Sequence, residues 1–327
     1  MIAALHGQPN VTLLVCTYNR CDDLREMLES ALAQTASDFT YEVLVVDNNS
    51  SDETRKVVES IVARGHPNIR YTFERKQGKS FALNRGITEA RGEICSVVDD
   101  DQVLPTDWLS TVVAQFRANP NASFVGGRVL PLWLGDVPPW LTEQHWSAVG
   151  IVDYGDREMW LDARHPICLL ACSFRRGAIE SAGGYRADLG VSRQLIGSVE
   201  DFEILQRLSR AGLRGLYTPA LSLLHKVPPS RLTKQYHRRW HTEHGRFYAL
   251  FRDDDFEGSR WRILEVPGHV YRRAGQAALR WLSNIVRGRK GEAFGHETAL
   301  RFYWGFFLER RRSRREALRH NLAVGLT

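Results

Sequence analysis

What this chain of 327 residues lacks removes several classes of protein at once. No uninterrupted apolar run approaches the roughly 20 residues that a membrane-crossing helix needs, so a transmembrane protein is not expected. Residues 1–10 are too few and too polar for a secretory signal. The five cysteines, Cys16, Cys21, Cys95, Cys168 and Cys172, are scattered, and none shows the paired CxxC spacing of a zinc site. That pattern fits a reduced, cytoplasmic protein. There is no internal repeat, and low complexity is confined to residues 309–316, which are mostly arginine. No recognised nucleic-acid motif occurs, so nucleic acid is not an expected partner.

What is present is enough for a folded core. Hydrophobic residues make up 43% of the chain, and the length suits one large domain or two smaller ones. The net charge of +6 is unevenly spread: residues 226–327 carry about twelve more basic than acidic groups, which leaves the first 225 acidic by about six. That asymmetry predicts an acidic catalytic part followed by a basic part that faces an anionic partner.

Strand-like runs at residues 11–15, 41–46, 69–73 and 94–98 alternate with amphipathic helical patterns. Such alternation with short connections predicts a parallel sheet covered by helices on both faces. A helix is expected at 108–116, a strand at 123–129, and an irregular segment at 130–165 containing Trp133, Trp140, Trp146 and Trp160. Beyond it the pattern predicts a strand at 169–174, a helix opened by Ser198 and ending near Gly212, and two short strands at 213–217 and 221–224. From Pro228 onward the chain reads as helical and basic.

Asp99-Asp100-Asp101 closes the apolar run 94–98. Three carboxylates where a buried strand leaves its sheet repel one another unless something positive sits among them. Asp99 and Asp101, on alternate residues of an extended chain, point the same way and suit a hard cation such as Mg2+ or Mn2+. The plainer alternative is an acidic turn capping the following helix. Asp47 and Lys79 also fall just past predicted strand ends, where ligands bind in such sheets.

Residues 11–225 resemble family 2 glycosyltransferases of the GT-A fold. The resemblance rests on Cys16-Thr17-Tyr18-Asn19-Arg20, Val45-Val46-Asp47-Asn48-Asn49-Ser50-Ser51, Gly78-Lys79-Ser80 with Asn84-Arg85-Gly86, the triple aspartate, and Glu200-Asp201 opening a helix, in that order. It implies that Thr17, Tyr18 and Arg20 line a base pocket and that Asp47 accepts from the base or ribose. Asn49, Lys79 and Asn84 belong by the same resemblance to the nucleotide-sugar site. Asp99 and Asp101 match the metal motif, with Asp100 near the ribose or metal and His225 as a further metal ligand. Asp201, with Glu200 beside it, matches the acceptor-side general base. The implied reaction is a single displacement with inversion, from a nucleotide-diphosphate sugar to a hydroxyl of a glycan, lipid-linked or small-molecule acceptor. Processive synthases of the family carry Gln-x-x-Arg-Trp, whereas Gln235-Tyr236-His237-Arg238-Arg239-Trp240 has one residue too many, so transfer of one sugar is expected.

Two other functions compete. A sugar nucleotidyltransferase would need a glycine-rich phosphate loop, and Cys16–Arg20 has no glycine. A non-catalytic module would use its basic helices to bind an anionic polymer. The expected division is 1–228 for the GT-A domain and 229–327 for a basic helical region. That second region alternates arginine with Trp240, Phe247, Trp281, Ile285, Phe302, Trp304, Phe306 and Phe307. It reads either as a peripheral contact with the inner face of the cell membrane or as a homo-oligomer interface.

Overall fold

The computed structural model describes residues 9–164, 168–190, 196, 199–252, 257–258 and 261–324. Among the positions singled out above, residues 1–8, His165 and Ser198 lie outside them. The chain divides into two compact units. One comprises Met1–Leu132, Gly150–Asp188 and Glu200–Lys226, and the other Trp133–Val149, Leu189–Val199 and Val227–Thr327.

The first unit opens with β1 (Val11–Thr17), α1 (Cys21–Leu32), β2 (Tyr41–Asp47), α2 (Thr54–Ala63), β3 (Ile69–Phe73), α3 (Lys79–Glu89) and β4 (Ile94–Asp99). It continues through β5 (Gln102–Val103), α4 (Trp108–Ala118), β6 (Ala122–Trp133), β7 (Met159–Leu161), β8 (Ser173–Arg175), α5 (Arg176–Ser181), α6 (Glu200–Arg210) and β9 (Arg214–Val227). The sheet order is β3-β2-β1-β4-β8-β6-β9-β5, with β7 also on β9. The first four strands are parallel. β8 lies antiparallel to both β4 and β6, and β9 lies antiparallel to β5 and β7.

Two-residue alternation divides each strand between two cores. Leu13, Val15, Val43 and Val45 face one side, where they meet Leu24, Met27 and Leu28 of α1, Val57 and Ile61 of α2, and Trp108 and Leu109 of α4. Leu14, Leu44, Val46, Cys95 and Val97 face the other, against Ala82, Leu83 and Ile87 of α3 and Ile204, Leu205 and Leu208 of α6. Each fully buried Val or Leu contributes about 1.5–3 kcal/mol, so these two layers hold the strand ends in register.

Three expectations change. The paired short strands at 213–217 and 221–224 are one strand, β9, that runs through Pro219. Gly127 of β6 marks where that strand approaches closest: a Cβ there would lie 1.9 Å from the Leu221 carbonyl oxygen and 2.6 Å from that of Thr218. The strand expected at 169–174 is confined to β8, although Leu169 and Cys172 are buried. Residues 130–165 are not wholly irregular, since they hold the end of β6, the 3-10 helix Glu143–Val149 and β7.

The second unit contains that 3-10 helix, a second one at Pro229–Leu232, and the helix α7 (Lys234–Phe251). The hairpin strands β10 (Arg262–Ile263) and β11 (Val266–Pro267) and the helices α8 (Gly268–Val286) and α9 (Lys290–Val324) follow. Thr233 caps α7 by accepting from the Tyr236 N–H at 3.2 Å. Trp140 packs edge-on against His145, His237 and Phe294. Of the aromatic residues expected in the tail, Trp240, Phe247 and Phe306 are buried, while Trp304 is exposed. Among the described residues no helix is long and apolar enough to cross a membrane.

Candidate active site

Parallel register assembles the site. Thr17 of β1 lies opposite Asp47 of β2, and Cys16 lies opposite Asp99 of β4. Three adjacent strands therefore change from apolar to polar at one level, the carboxyl edge where open α/β sheets bind ligands. Asp100 and Asp101 turn from β4 into β5, whose pairing with β9 sets Gln102 opposite His225. The Lys226 N–H donates to the Asp101 carbonyl at 2.9 Å, and Gln102 Oε1 accepts from the Asp99 N–H at 3.0 Å.

Two cations answer the three aspartates. Arg20 Nη1 lies 2.9 Å from Asp100 Oδ1 and 2.8 Å from Asp101 Oδ2. The Thr17 hydroxyl donates to Asp100 Oδ2 at 2.8 Å. Burial pushes the Asp100 carboxyl up while Arg20 pulls it down, and Asp100 in turn raises the Arg20 guanidinium. Lys79, at the start of α3, sits between two acids: its Nζ is 2.8 Å from Asp99 Oδ1 and 3.9 Å from Asp201 Oδ2. Burial disfavours the charged ammonium, but Asp99, Asp201 and Glu200 outweigh it and hold Lys79 well above the usual lysine range. Burial likewise raises Asp201, against the pull of Lys79. Glu200, which is buried, and Asp201 occupy the first turn of α6, where the helix dipole favours carboxylates.

The residues expected from the sequence thus gather in three groups. Thr17, Arg20, Asp100, Asp101 and His225 form one. Lys79, Asp99, Glu200 and Asp201 form another. Asp47 and Asn49 belong to a third, in the loop after β2. Asp47 accepts from the Ser50 N–H at 2.9 Å and from the Tyr71 hydroxyl at 2.8 Å. Asn49 turns the chain with a φ of 65°. Tyr18 lies half-buried in the loop after β1. Asn84 joins none of these groups, because its amide donates to the Tyr185 carbonyl at 2.8 Å and accepts from the Tyr185 N–H at 2.7 Å.

Among the described residues no three His, Cys, Asp or Glu side chains stand ready to hold a metal ion. Asp99 turns to Lys79, away from any such set. Two of the expected ligands do stand together as a pair: Asp101 Oδ1 and His225 Nδ1 are 3.3 Å apart and both side chains are buried. Two adjacent octahedral ligands at about 2.1 Å from an ion lie about 3.0 Å apart, and a carboxylate with an imidazole suits Mn2+.

Sequence reasoning passed over Asn48. Its side chain is buried and donates to the carbonyls of Lys76 at 2.8 Å and Glu74 at 3.3 Å. It also accepts from the Gly78 N–H at 2.8 Å and from the Gln77 amide at 3.2 Å. One carboxamide therefore locks the loop after β2 to the loop after β3. In the sequence Asn48 stood only as one member of the Val45–Ser51 motif, with nothing to name its partners in the loop after β3. Tyr71, two residues before the end of β3, was also passed over, and its hydroxyl reaches Asp47.

Residues 12–180 match the family model described as glycosyl transferase family 2. A glucosyl-dolichyl phosphate glucuronosyltransferase of Haloferax volcanii is 27% identical over 220 residues, 66% of this chain and 69% of that one. A GalNAc(5)-diNAcBac-PP-undecaprenol beta-1,3-glucosyltransferase of Campylobacter jejuni is 33% identical over 37% of this chain and 38% of its own length. Among solved structures, a mannosyltransferase from Pyrobaculum calidifontis in complex with GDP-Man and Mn2+ superposes with a TM-score of 0.54 at 23% identity, covering 76% of this chain and 66% of that one. A TarS fragment from S. aureus in complex with UDP-GlcNAc gives 0.54 at 16% identity, covering 94% and 92%. The two superpositions show a shared fold.

Proposed function

The chain belongs to glycosyl transferase family 2 and is a glycosyltransferase, and on that premise we propose that it moves one sugar, with inversion, from a nucleotide-diphosphate sugar to a hydroxyl acceptor. The observation that carries this reading is the meeting of Asp99, Lys79 and Asp201, from the ends of β4, α3 and α6, in one chain of charge. Lys79 keeps a positive charge there. It neutralises Asp99 on the donor side and orients Asp201 on the acceptor side.

Asp201 accepts the proton of the acceptor hydroxyl as that oxygen bonds to the anomeric carbon. The bond from that carbon to the diphosphate oxygen breaks, and its electron pair leaves with the nucleoside diphosphate. One base and no protein nucleophile give a single displacement, hence inversion. Burial strengthens Asp201 as a base by raising its pKa. Asp101 and His225 would hold a divalent cation, Mn2+ or Mg2+, which when bound supplies Lewis-acid stabilisation of the departing diphosphate. Thr17 and Arg20 fix Asp100 and so the turn that carries Asp101. Asp47, Asn48 and Asn49 shape the donor loop, Tyr18 flanks it, and Asn84 positions α3 through the Tyr185 backbone.

The names of the two relatives support a lipid-linked saccharide as acceptor. The spacing at Gln235 and Trp240 supports transfer of a single sugar rather than processive synthesis. The five free cysteines support a reducing compartment. Residues 1–228 carry the chemistry in this reading, and residues 229–327 serve acceptor, membrane or oligomer contacts.

Release of nucleoside diphosphate from a panel of nucleotide sugars tests it. Wild-type protein should hydrolyse one donor slowly with Mn2+ and lose that activity in EDTA, and Asp101→Ala should be inactive. Full activity in EDTA overturns the metal role. With donor and acceptor together, an Asp201→Asn variant that transfers within about tenfold of the wild-type rate overturns the base assignment.

A further inference from the structure

Helix α8 has an outward face that resembles an inward one. Val270, Ala277 and Asn284, seven residues apart, face the interior of the helical unit. On the opposite side Leu279, Leu282 and Val286 are 70%, 51% and 86% exposed, and Ile285, at the edge of that face, is 50% exposed. At 3.6 residues per turn, Gly268, Gly275, Leu279, Leu282 and Val286 fall on a single stripe. Gly268, at the head of that stripe, is covered by Trp261: a Cβ on Gly268 would lie 1.8 Å from the indole ring. Trp261 is itself 63% exposed, so its indole prolongs the apolar stripe by one end.

The charge beside the stripe is of one sign. Arg273, Arg280 and Arg287 repeat every seven residues along one flank, with Arg272 next to them, and no Asp or Glu occurs from residue 266 to 291. None of these four arginines has a carboxylate partner among the described residues. In the same unit, Arg238, Arg246, Arg262 and Arg312 each do. An exposed apolar strip of this length on a soluble fold marks a surface that is covered in use.

We propose that the outer face of α8, together with Trp261, seats on a bilayer surface that carries anionic headgroups. The leucines, Ile285 and Val286 reach the acyl boundary, and the arginine row meets lipid phosphates. Charge complementarity selects this occupant over a second copy of the chain. An isologous pairing brings the same patch against itself, so each arginine row would meet another with no acid on the face to answer it. The inference stands apart from the transfer reaction, because lipid binding is read without donor or acceptor.

Co-sedimentation of the full chain with vesicles tests it. Phosphatidylcholine alone is compared with phosphatidylcholine containing phosphatidylglycerol, at low and raised salt. Binding is expected on the anionic vesicles and should weaken as salt rises. An arginine near such a surface raises partitioning about fivefold, so Arg280→Gln with Arg287→Gln should weaken binding roughly 25-fold. Leu279→Asp with Leu282→Asp should abolish it while leaving the melting temperature unchanged, because both positions face solvent. Three results would overturn the proposal: no binding to either vesicle, equal binding to both, or wild-type affinity in both variants. A sedimentation-velocity dimer that the Leu279/Leu282 variant splits would also overturn it, and would assign the face to a second copy.

Discussion

At the strand ends of the α/β unit, several buried carboxylates cluster about two cations, and in the helical unit charges pair along a helix or between packed helices. Arg20 meets Asp100 and Asp101, and Lys79 meets Asp99 and Asp201, all converging on one sheet edge. Arg239–Glu243 and Arg312–Glu316 instead span four residues, and Arg238–Glu297 and Arg246–Glu309 join neighbouring helices. The first arrangement desolvates several carboxylates at once, which costs stability, and in the proposed reading that cost serves the transfer reaction. Within the second, Arg312–Glu316 is open to water and contributes little, whereas Glu243 and Glu309 are themselves mostly buried. Charge is therefore costly at the clustered sheet edge and cheap in an exposed pair such as Arg312–Glu316.

Substitutions at each place should separate the two kinds of charge. The largest effect belongs to Asp201→Asn, which should cut kcat about 10²–10⁴-fold while donor affinity, read by calorimetry, stays within severalfold. Equal losses in binding and turnover would make Asp201 a structural member of the edge. The next test concerns buried histidines in the helical unit. Burial lowers His237 to about 4 and His241 to about 3, and it also lowers His145. A histidine kept neutral in the fold gives stability that is complete above pH ~6.5 and is lost as the unfolded chain takes up protons below it. His237 alone accounts for a loss on the order of 3 kcal/mol by pH 4. Hydrogen exchange between pH 7 and 4.5 should show α7 loosening, and His237→Gln should flatten the profile. Unchanged protection of α7 would mean that these rings stay neutral at no cost.

A smaller effect is expected at Arg20→Ala. It leaves Asp100 and Asp101 without their cation, yet the Arg20 side chain is 40% exposed and water softens the loss. A drop of about 1–3 kcal/mol in urea-unfolding free energy is expected, partly recovered when Asp100→Asn is added. The smallest belongs to Arg312→Ala, whose partner Glu316 is as exposed as itself. It should change stability by less than about 0.5 kcal/mol. A loss comparable to that at Arg20 would erase the distinction between the two regions.

The parallel half was legible because its information is local. Strand-like runs of five or six residues mark β1 to β4, and each polar motif closely follows one of them, so register alone brings Thr17, Asp47 and Asp99 level. Asp201 and His225 were legible only through the resemblance, since nothing in residues 200–225 announces a neighbour at Lys79 or Asp101. What depends on distant partners did not show. Asn84 answers to Tyr185, 101 residues on, and Trp140 packs against His237 and Phe294 across long stretches of chain. The single strand β9 was hidden because Pro219 reads as a break. The chain passes it where Gly127 on the neighbouring strand leaves room.

The Asn48 carboxamide has a consequence for anyone who recombines this enzyme with a relative. Residues 48–78 form a cassette that has to be inherited whole, since four contacts made by one side chain bridge its two ends. A crossover inside it would join an amide from one parent to a backbone shaped by another. Chimeras aimed at new sugar specificity should place their junctions outside that block.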